Sequence, residues 1–297
     1  MKIKKTKIIS TIGPSCSSPN IISSLIKKGM DVARLNMAHT HKEKDLKSII
    51  DIIRSESKKT GRNIAIMMDI AGPKIRVNFN NKDNSKLSVI KNHTYTMGYD
   101  NTNDIPINLD INFKGQDNQK ALVKIDDGKI SFKILKINNN VLQLKALEAG
   151  TINSNKGINF PHVDLAIPSI TKKDRKDIKL GLKYKVDWFA LSFVRTSKDI
   201  NPMINIFKKE NSFIPVIAKI EKPEAIDNLE DIINKFDGLL VARGDLGVEE
   251  SLAKVPVLQK KIIASCVRAK KPIIVATQIL ESMIENPTPT RAEVNDV

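Results

Sequence analysis

"LLVARGDLGVEE", residues 239–250, begins as an unbroken apolar run and turns polar within one residue. A short run that is apolar at successive positions and bounded by turn residues reads as a strand buried on both faces. Directly after it come Arg243, Gly244 and Asp245, with a second glycine at 247. That sequence is either an adhesion-type tripeptide on a loop or the end of a buried strand where a charged site begins. The rest of the chain decides between them.

Six other stretches have the same character: "TKIISTIG" (6–13), "DVARLNM" (31–37), "NIAIMMDI" (63–70), "DWFALSF" (187–193), "IPVIAKIE" (214–221) and "KPIIVATQ" (271–278). Helical patterns lie between several of them. In "SSPNIISSLIKKGM", Ser17 or Ser18 can cap, Pro19 suits the first turn, Ile21, Ile22, Leu25 and Ile26 share a face, and Gly29 closes the helix. In "VPVLQKKIIASCVRAKKP", Leu258, Ile262, Cys266 and Ala269 form a stripe, which makes Cys266 a small core residue. Strand followed by helix, repeated, predicts a parallel α/β fold.

One region breaks the alternation. From about Asn78 to Asn159 the chain is polar, with short alternating runs such as "KLSVI", "ALVKIDDGKISFKIL" and "NVLQLKAL". Asp-Gly within "IDDGKI" is a hairpin signal. A small all-β domain over 78–159 is therefore expected between the third and fourth barrel strands, with barrel segments at 1–77 and 160–297. Taking 82 residues out of 297 leaves 215, about seven units at roughly 31 residues each. The expected fold class is α/β, a TIM-type (β/α)8 barrel truncated to about seven strands, with an inserted β lid.

Composition bounds the function. The chain is 41% hydrophobic and 28% charged, without an apolar run of membrane-spanning length, so no membrane partner is expected. The start, "MKIKKTKIISTIG", interrupts its apolar part with charged and turn residues and reads as a strand rather than a signal peptide. Cys16 and Cys266 form neither a disulfide framework nor a metal-ligand spacing, and a reducing, cytoplasmic setting is the simplest reading. The net charge of +16 is spread along the whole length, and only 4% of residues are aromatic. No segment interleaves basic and aromatic residues as a stacking platform would, so nucleic acid is not the expected partner.

In a parallel barrel the carboxyl ends of the strands converge on one face. Those ends carry Arg34 and Asn36, Asp69, Ser192, Lys219 and Glu221, Arg243 and Asp245, and Thr277 and Gln278. Any one alone reads as a solvated charge; nearly every strand ending this way points to a site. Glu221 and Asp245 suit Mg²⁺, which takes one or two carboxylates plus water and substrate oxygens. Lys219 lies two residues before Glu221 and so on the same side of its strand. Arg34 and Arg76 add cations that fit phosphate. The Gly-Asp-Leu-Gly turn offers backbone N–H groups to an anion. The chemistry favoured is that of a phosphorylated, carboxylated small molecule on Mg²⁺. A rival reading starts from "HTH" at 39–41, as a zinc or dinuclear hydrolase site. It needs further nitrogen ligands, and the remaining histidines, His93 and His162, lie within or just after the β region.

"TKIISTIGPSCSS", "VARLNMAHT", "MDIAGPKIR", "NKGINFP", "SFVR", "KIEKPEAIDNLEDI", "DGLLVARGDLGVE" and "IVATQILESMIENPTPTRAEVNDV" resemble the successive signature blocks of the pyruvate kinase family. They come in the family's order, from about residue 5 to the last. The resemblance implies phosphoryl transfer from phosphoenolpyruvate to ADP, giving pyruvate and ATP in the last step of glycolysis. By position, Glu221 and Asp245 would bind Mg²⁺, Lys219 would stabilise charge on the phosphoryl group and enolate, and Arg34 would also hold the phosphoryl group. The backbone of Gly244 and Asp245, with Thr277, would hold the carboxylate, with Thr277 near the path of proton delivery; Ser192 joins the substrate-binding set. His39, Arg76 and Lys156 match nucleotide-side positions, and Asp127 sits in a matching lid motif. On this reading Arg-Gly-Asp is a site turn, not an adhesion signal.

Two departures from the family carry expectations. Members that bind K⁺ do so through Asn, Ser and Asp side chains; Asn36 and Asp69 remain here, but Ala38 stands in place of the Ser. Lys74 stands where K⁺-dependent members have Glu, and resembles the K⁺-independent group, so K⁺ is not expected to be required. The second departure is expected at the end of the chain, where an eighth barrel unit and a regulatory domain are not read in this sequence. It raises the expectation of a homo-oligomer, or of a complementing C-terminal polypeptide, and of no activation by sugar phosphates. Two readings stand beside the kinase: a non-catalytic or split fragment, and a lyase on a similar barrel. The nucleotide-side blocks argue against the lyase, which has no ADP to hold.

Overall fold

The computed structural model describes residues 4–38, 42–79, 86–112, 121–138, 140–163, 165 and 167–296. All seven expected apolar runs are strands: β1 (Ile8–Thr11), β2 (Met30–Asn36) and β3 (Ala65–Ile70) come first. Next are the eight strands of the β insert: β4 (Lys86–Val89), β5 (Thr94–Gly98), β6 (Ile105–Pro106), β7 (Leu122–Ile125), β8 (Ile130–Asn138), β9 (Val141–Ala146), β10 (Gly150–Asn153) and β11 (Ile158–Asn159). The chain then resumes with β12 (Trp188–Leu191), β13 (Val216–Ile220), β14 (Gly238–Ala242) and β15 (Ile273–Ala276).

The sheet order is β1-β2-β3-β12-β13-β14-β15, so spatial order matches chain order, as in an α/β barrel. The pairs from β1 to β13 are parallel. Their register sets Thr11 beside Arg34, Asn36 beside Asp69, and Asp69 beside Ala190. Polar residues at the carboxyl ends of neighbouring strands are thereby brought level.

The described chain divides into two compact units: Met1–Pro73 with Ser169–Lys219 and Asp231–Leu239, and Lys74–Pro168 with Ile220–Glu230 and Leu240–Val297. In the first unit, helix α1 (Pro19–Lys28) has Pro19 in its first turn and ends on Gly29 at φ 118°, a left-handed position that costs glycine little. Its buried face is Ile22 and Ile26; Ile21, expected to join them, is exposed. Helix α2 (Glu43–Thr60) buries Leu46, Ile50 and Ile53 at helical spacing, each such side chain contributing about 1.5–3 kcal/mol through burial. Helix α3 (Lys172–Lys183) opens with a capping box, Thr171 and Asp174 each bonding the other's backbone N–H. Helix α4 (Asn201–Lys209) buries Met203, Ile206 and Phe207.

In the second unit the β insert forms a two-stranded sheet, β10-β4, and a six-stranded sheet, β11-β7-β8-β9-β5-β6. Phe132, Leu142, Leu144, Val123 and Met97 are at its centre. The predicted Asp-Gly hairpin joins β7 to β8, with Asp126, Asp127 and Gly128 all at positive φ. Helices α5 (Pro223–Asp227) and α6 (Leu229–Lys235) come after β13, α6 lying partly in each unit. Helices α7 (Arg243–Glu249), α8 (Val255–Arg268) and α9 (Arg291–Asp296) complete the second unit.

Two details differ from expectation. The strand of "DGLLVARGD" stops at Ala242, and Arg243 already opens α7. Arg243, Leu246 and Gly247 are buried at helical spacing, so the stretch winds to bury that face rather than staying a turn. In α8, Ile262 and Cys266 are buried as expected, whereas Ala269 is an exposed cap residue. Burial pushes the Cys266 thiol up to about 11, consistent with an inert core cysteine.

Candidate functional site

In the first unit three strand-end cations and hydroxyls gather round one carboxylate. Asp69, 1% exposed, is the centre. Arg34 reaches its Oδ2 through Nε at 2.8 Å and Nη2 at 2.5 Å, and donates to Thr11 Oγ1 through Nη1 at 2.8 Å. Lys219 lies 3.3 Å from Oδ1 of the same carboxylate and donates to Ser192 Oγ at 2.7 Å. Ser192 in turn donates to the Ile70 carbonyl at 2.7 Å. One buried anion thus holds two cations, and the group carries a formal charge of +1. Mutual repulsion would otherwise spread Arg34 and Lys219 apart; Asp69 fixes both where a phosphoryl-sized anion could use them.

The same geometry bears on the two residues expected from the resemblance at a monovalent-cation site. Asn36 and Asp69 are cross-strand neighbours. Asn36 Oδ1 accepts the Ala38 N–H at 3.0 Å, and the Asp69 oxygens face Arg34 and Lys219. The loop beyond β3 is tied down by Gly72, whose N–H donates to Asp174 at 3.2 Å.

In the second unit Lys74 is 3.2 Å from Asp245 Oδ1. Its stem passes close to Gly157, where an added Cβ would lie 3.0 Å from Lys74 Cε and press on that stem. Asp245 lies in the first turn of α7, and the Gly244 N–H points to Thr277 Oγ1 at 3.5 Å, a long contact. Thr277, just after β15, is at φ 74°, an outlier for a β-branched residue. Arg243 holds that backbone in place: its guanidinium donates to the carbonyls of Ala276, Thr277 and Gln278, and pairs with Asp296. Glu221, directly after β13, is 1% exposed. Among the described residues no three His, Cys, Asp or Glu side chains gather as a metal cage. Asp245, in the first turn of α7, and Glu221, directly after β13, are the two strand-end carboxylates expected from the sequence as Mg²⁺ ligands.

Three of the residues expected on the nucleotide side, Arg76, Lys156 and Asp127, lie on neighbouring backbone: the Val77 N–H donates to the Lys156 carbonyl at 2.9 Å and the Asp126 N–H to the Gly157 carbonyl at 3.1 Å. Lys156 pairs with Asp126 Oδ1 at 2.8 Å, and that hydrogen bond, with help from Lys129, holds the Asp126 carboxyl below its ordinary value against the opposing effect of burial. Arg76 donates to the Asn155 carbonyl at 2.8 Å. Asp127 is exposed in the β7–β8 turn. His39 lies outside the described residues. Four residues escaped the sequence reading: Asp126, Asn159, Lys222 and Glu249. Asp126 and Lys222 adjoin Asp127 and Glu221, Asn159 lies three positions after Lys156, and Glu249 sits four positions after Asp245, one helical turn on.

Residues 3–297 match the family model for the pyruvate kinase barrel domain. The chain belongs to the pyruvate kinase family. It is 39% identical to the pyruvate kinase of Corynebacterium efficiens over 295 residues and 40% identical to that of Agrobacterium vitis over 297 residues. Each comparison covers 99% of this chain and 62% of the relative, so the chain spans about three fifths of their length. Among solved structures, a pyruvate kinase from Cryptosporidium parvum matches with a TM-score of 0.91 and 36% identity, over 98% of this chain and 61% of that one. No helix among the described residues is long and apolar enough to cross a membrane.

Proposed function

We propose that this chain carries the catalytic barrel and lid of a pyruvate kinase, transferring the phosphoryl group of phosphoenolpyruvate to ADP in the cytoplasm, with residues 78–159 as the lid. The observation that carries the reading is the array Arg34–Asp69–Lys219–Ser192, two cations fixed on one buried carboxylate. In the reaction an ADP β-phosphate oxygen bonds to the phosphorus of phosphoenolpyruvate, and the bond from phosphorus to the enol oxygen breaks. The resulting enolate takes a proton at its terminal carbon and becomes pyruvate. Arg34 and Lys219 supply positive charge where the transferring group and enolate become negative, which is where electrostatic catalysis acts. Gly244, Asp245 and Thr277 would receive the substrate carboxylate through backbone N–H groups and the Thr277 hydroxyl. Thr277 is poised near the proton's entry.

Glu221 and Asp245 would hold Mg²⁺, which when bound neutralises phosphoryl oxygens. Lys219 and Glu221 are two residues apart in the chain. Lys156, Arg76, Asp127 and His39 would serve the nucleotide. No K⁺ ligand set is invoked, because Lys74 supplies a fixed cation beside Asp245. A homo-oligomer or a complementing C-terminal polypeptide would complete the assembly.

The test is a coupled assay of the purified chain with phosphoenolpyruvate, ADP and Mg²⁺. Pyruvate that forms with the wild type and not with Lys219→Met supports the reading. A folded wild-type chain that forms none, alone or with a C-terminal pyruvate kinase segment added, removes it.

A further inference from the structure

Glu249 closes α7 and is 1% exposed. Its Oε1 accepts two hydrogen bonds at 2.8 Å, from Asn159 Nδ2 and from Lys222 Nζ. Its Oε2 is buried with no hydrogen-bond partner among the described residues. A buried carboxylate oxygen left without a partner costs free energy, so the arrangement is poor as a device for stability alone and needs another account.

The surrounding segments supply one. Lys222 comes directly after Glu221 in the chain; Asp245 sits on α7 one turn before Glu249; Asn159 ends β11, three residues after Lys156. One carboxylate oxygen therefore joins the segment bearing one carboxylate, the helix bearing the other, and the strand leaving the β insert. The insert grips the same helix end a second time, because Lys124 on β7 donates to the Val248 carbonyl at 2.6 Å. A cation on the last carbonyls of a helix is favoured by its dipole.

We infer that Glu249 is a positioning residue: it sets the spacing of the Glu221 and Asp245 carboxylates and links it to the insert through Asn159. The inference rests on the proposed function for the identity of those two carboxylates as metal ligands. Supporting partners outside the ligand shell are typically worth about 10–100-fold in metal affinity.

The experiment titrates Mn²⁺, as a stand-in for Mg²⁺, into the full 297-residue chain and reads free Mn²⁺ by electron paramagnetic resonance. Glu249→Gln keeps shape and the Oε1 acceptor but removes the charge, and is expected to weaken Mn²⁺ binding about tenfold or more. Asn159→Ala, which leaves the Lys222–Glu249 pair intact, is expected to weaken it in the same direction and decides the matter if Glu249→Gln does not fold. In turnover, the rise in half-saturating Mg²⁺ should exceed the fall in kcat, a split that general loosening of the fold would not give. Folded variants that bind Mn²⁺ within about twofold of wild type, well short of the expected loss, overturn the inference, even if the wild type makes pyruvate. A wild type that binds Mn²⁺ and loses it in the variants, yet makes no pyruvate, overturns the proposed reaction alone. A wild type that binds no Mn²⁺ overturns both.

Discussion

Lys74 places its ammonium 3.2 Å from the Oδ1 atom of Asp245. The pair is partly exposed on both sides, so its Coulomb energy is screened and its worth lies in position more than stability. On the proposed function, an ammonium fixed there would do locally what a bound monovalent cation does. Pyruvate formation by the wild type is therefore expected to be indifferent to added K⁺. Lys74→Glu should lower the rate in K⁺-free buffer and restore part of it as K⁺ is titrated in. Strong K⁺ activation of the wild type would remove this reading of Lys74.

Asp69 anchors Arg34 and Lys219 from a fully buried position. Asp69→Asn keeps the shape and removes the charge, leaving two cations facing each other without an anion. Breaking a buried pair in this way costs about 3–5 kcal/mol. The urea midpoint should fall accordingly with the slope unchanged, which marks lost stability rather than a changed denatured state. An unchanged midpoint would mean that water screens the pair far better than its burial implies.

Lys219→Met leaves most of the stem and removes the ammonium that touches Asp69 and Ser192. Losing one preorganised group at the developing charge typically costs about 10²–10³ in kcat. The expected result is a loss of that order in pyruvate formation, with a far-UV spectrum like that of the wild type. A variant retaining more than a tenth of the rate would place the stabilising charge elsewhere.

Strands were the most legible feature, and for a physical reason. Strands buried on both faces cannot hide polar residues, so "AIMMDI" and "GLLVA" stand out, and the polar residue in or after each marks the barrel's open end. Residue types along the strand ends named Arg34, Asp69, Ser192 and Lys219, which the fold brings into one hydrogen-bonded group. Partner choice was not legible in them. Asp69 reads equally well as a cation ligand or as an anchor for two cations, and only the cross-strand register beside Asn36 and Ala190 decides what reaches it. Glu249 lay outside the reading because a terminal helix carboxylate is usually solvated; its burial depends on Asn159, 90 residues away in sequence. The helix at Arg243–Glu249 was hidden by its two glycines, which look like turn residues until Leu246 and Gly247 are seen to be buried.

Gly72 lies at φ 69°, and a Cβ there would sit 2.9 Å from Phe193 Cδ2 and 3.2 Å from Ser192 Cβ. Gly72→Ala meets both a left-handed backbone and a side-chain collision. Conformational strain and overpacking of this kind each cost about 1–3 kcal/mol. Because the colliding atoms belong to Ser192 and its neighbour, the variant should also disturb the hydroxyl that receives Lys219. Stability and pyruvate formation are expected to fall together. A loss of stability with full activity would show that Ser192 can shift without moving Lys219.

Glu293 is the group whose titration gives the clearest pH signature. With Thr290 it forms a capping box at the start of α9: the Thr290 N–H donates to Glu293 Oε2 at 2.7 Å, and the Glu293 N–H to Thr290 Oγ1 at 3.3 Å. The carboxylate also accepts the Ser282 hydroxyl at 2.5 Å and the Ser282 N–H at 2.7 Å, tying the 281–284 turn to the helix. The Ser282 hydroxyl, then the N–H groups of Ser282 and Thr290, pull its pKa from 4.5 to about 2. The folded segment therefore binds fewer protons than the unfolded one between those values, and its stability rises with pH across that window. The contribution is fully present above pH 4.5 and lost as pH falls towards 2. Hydrogen exchange over residues 282–294 should show greater protection in the wild type than in Glu293→Gln above pH 4.5. That difference should shrink steadily below it. A difference that stays constant down to about pH 2 would mean the glutamate holds the segment by shape rather than by charge.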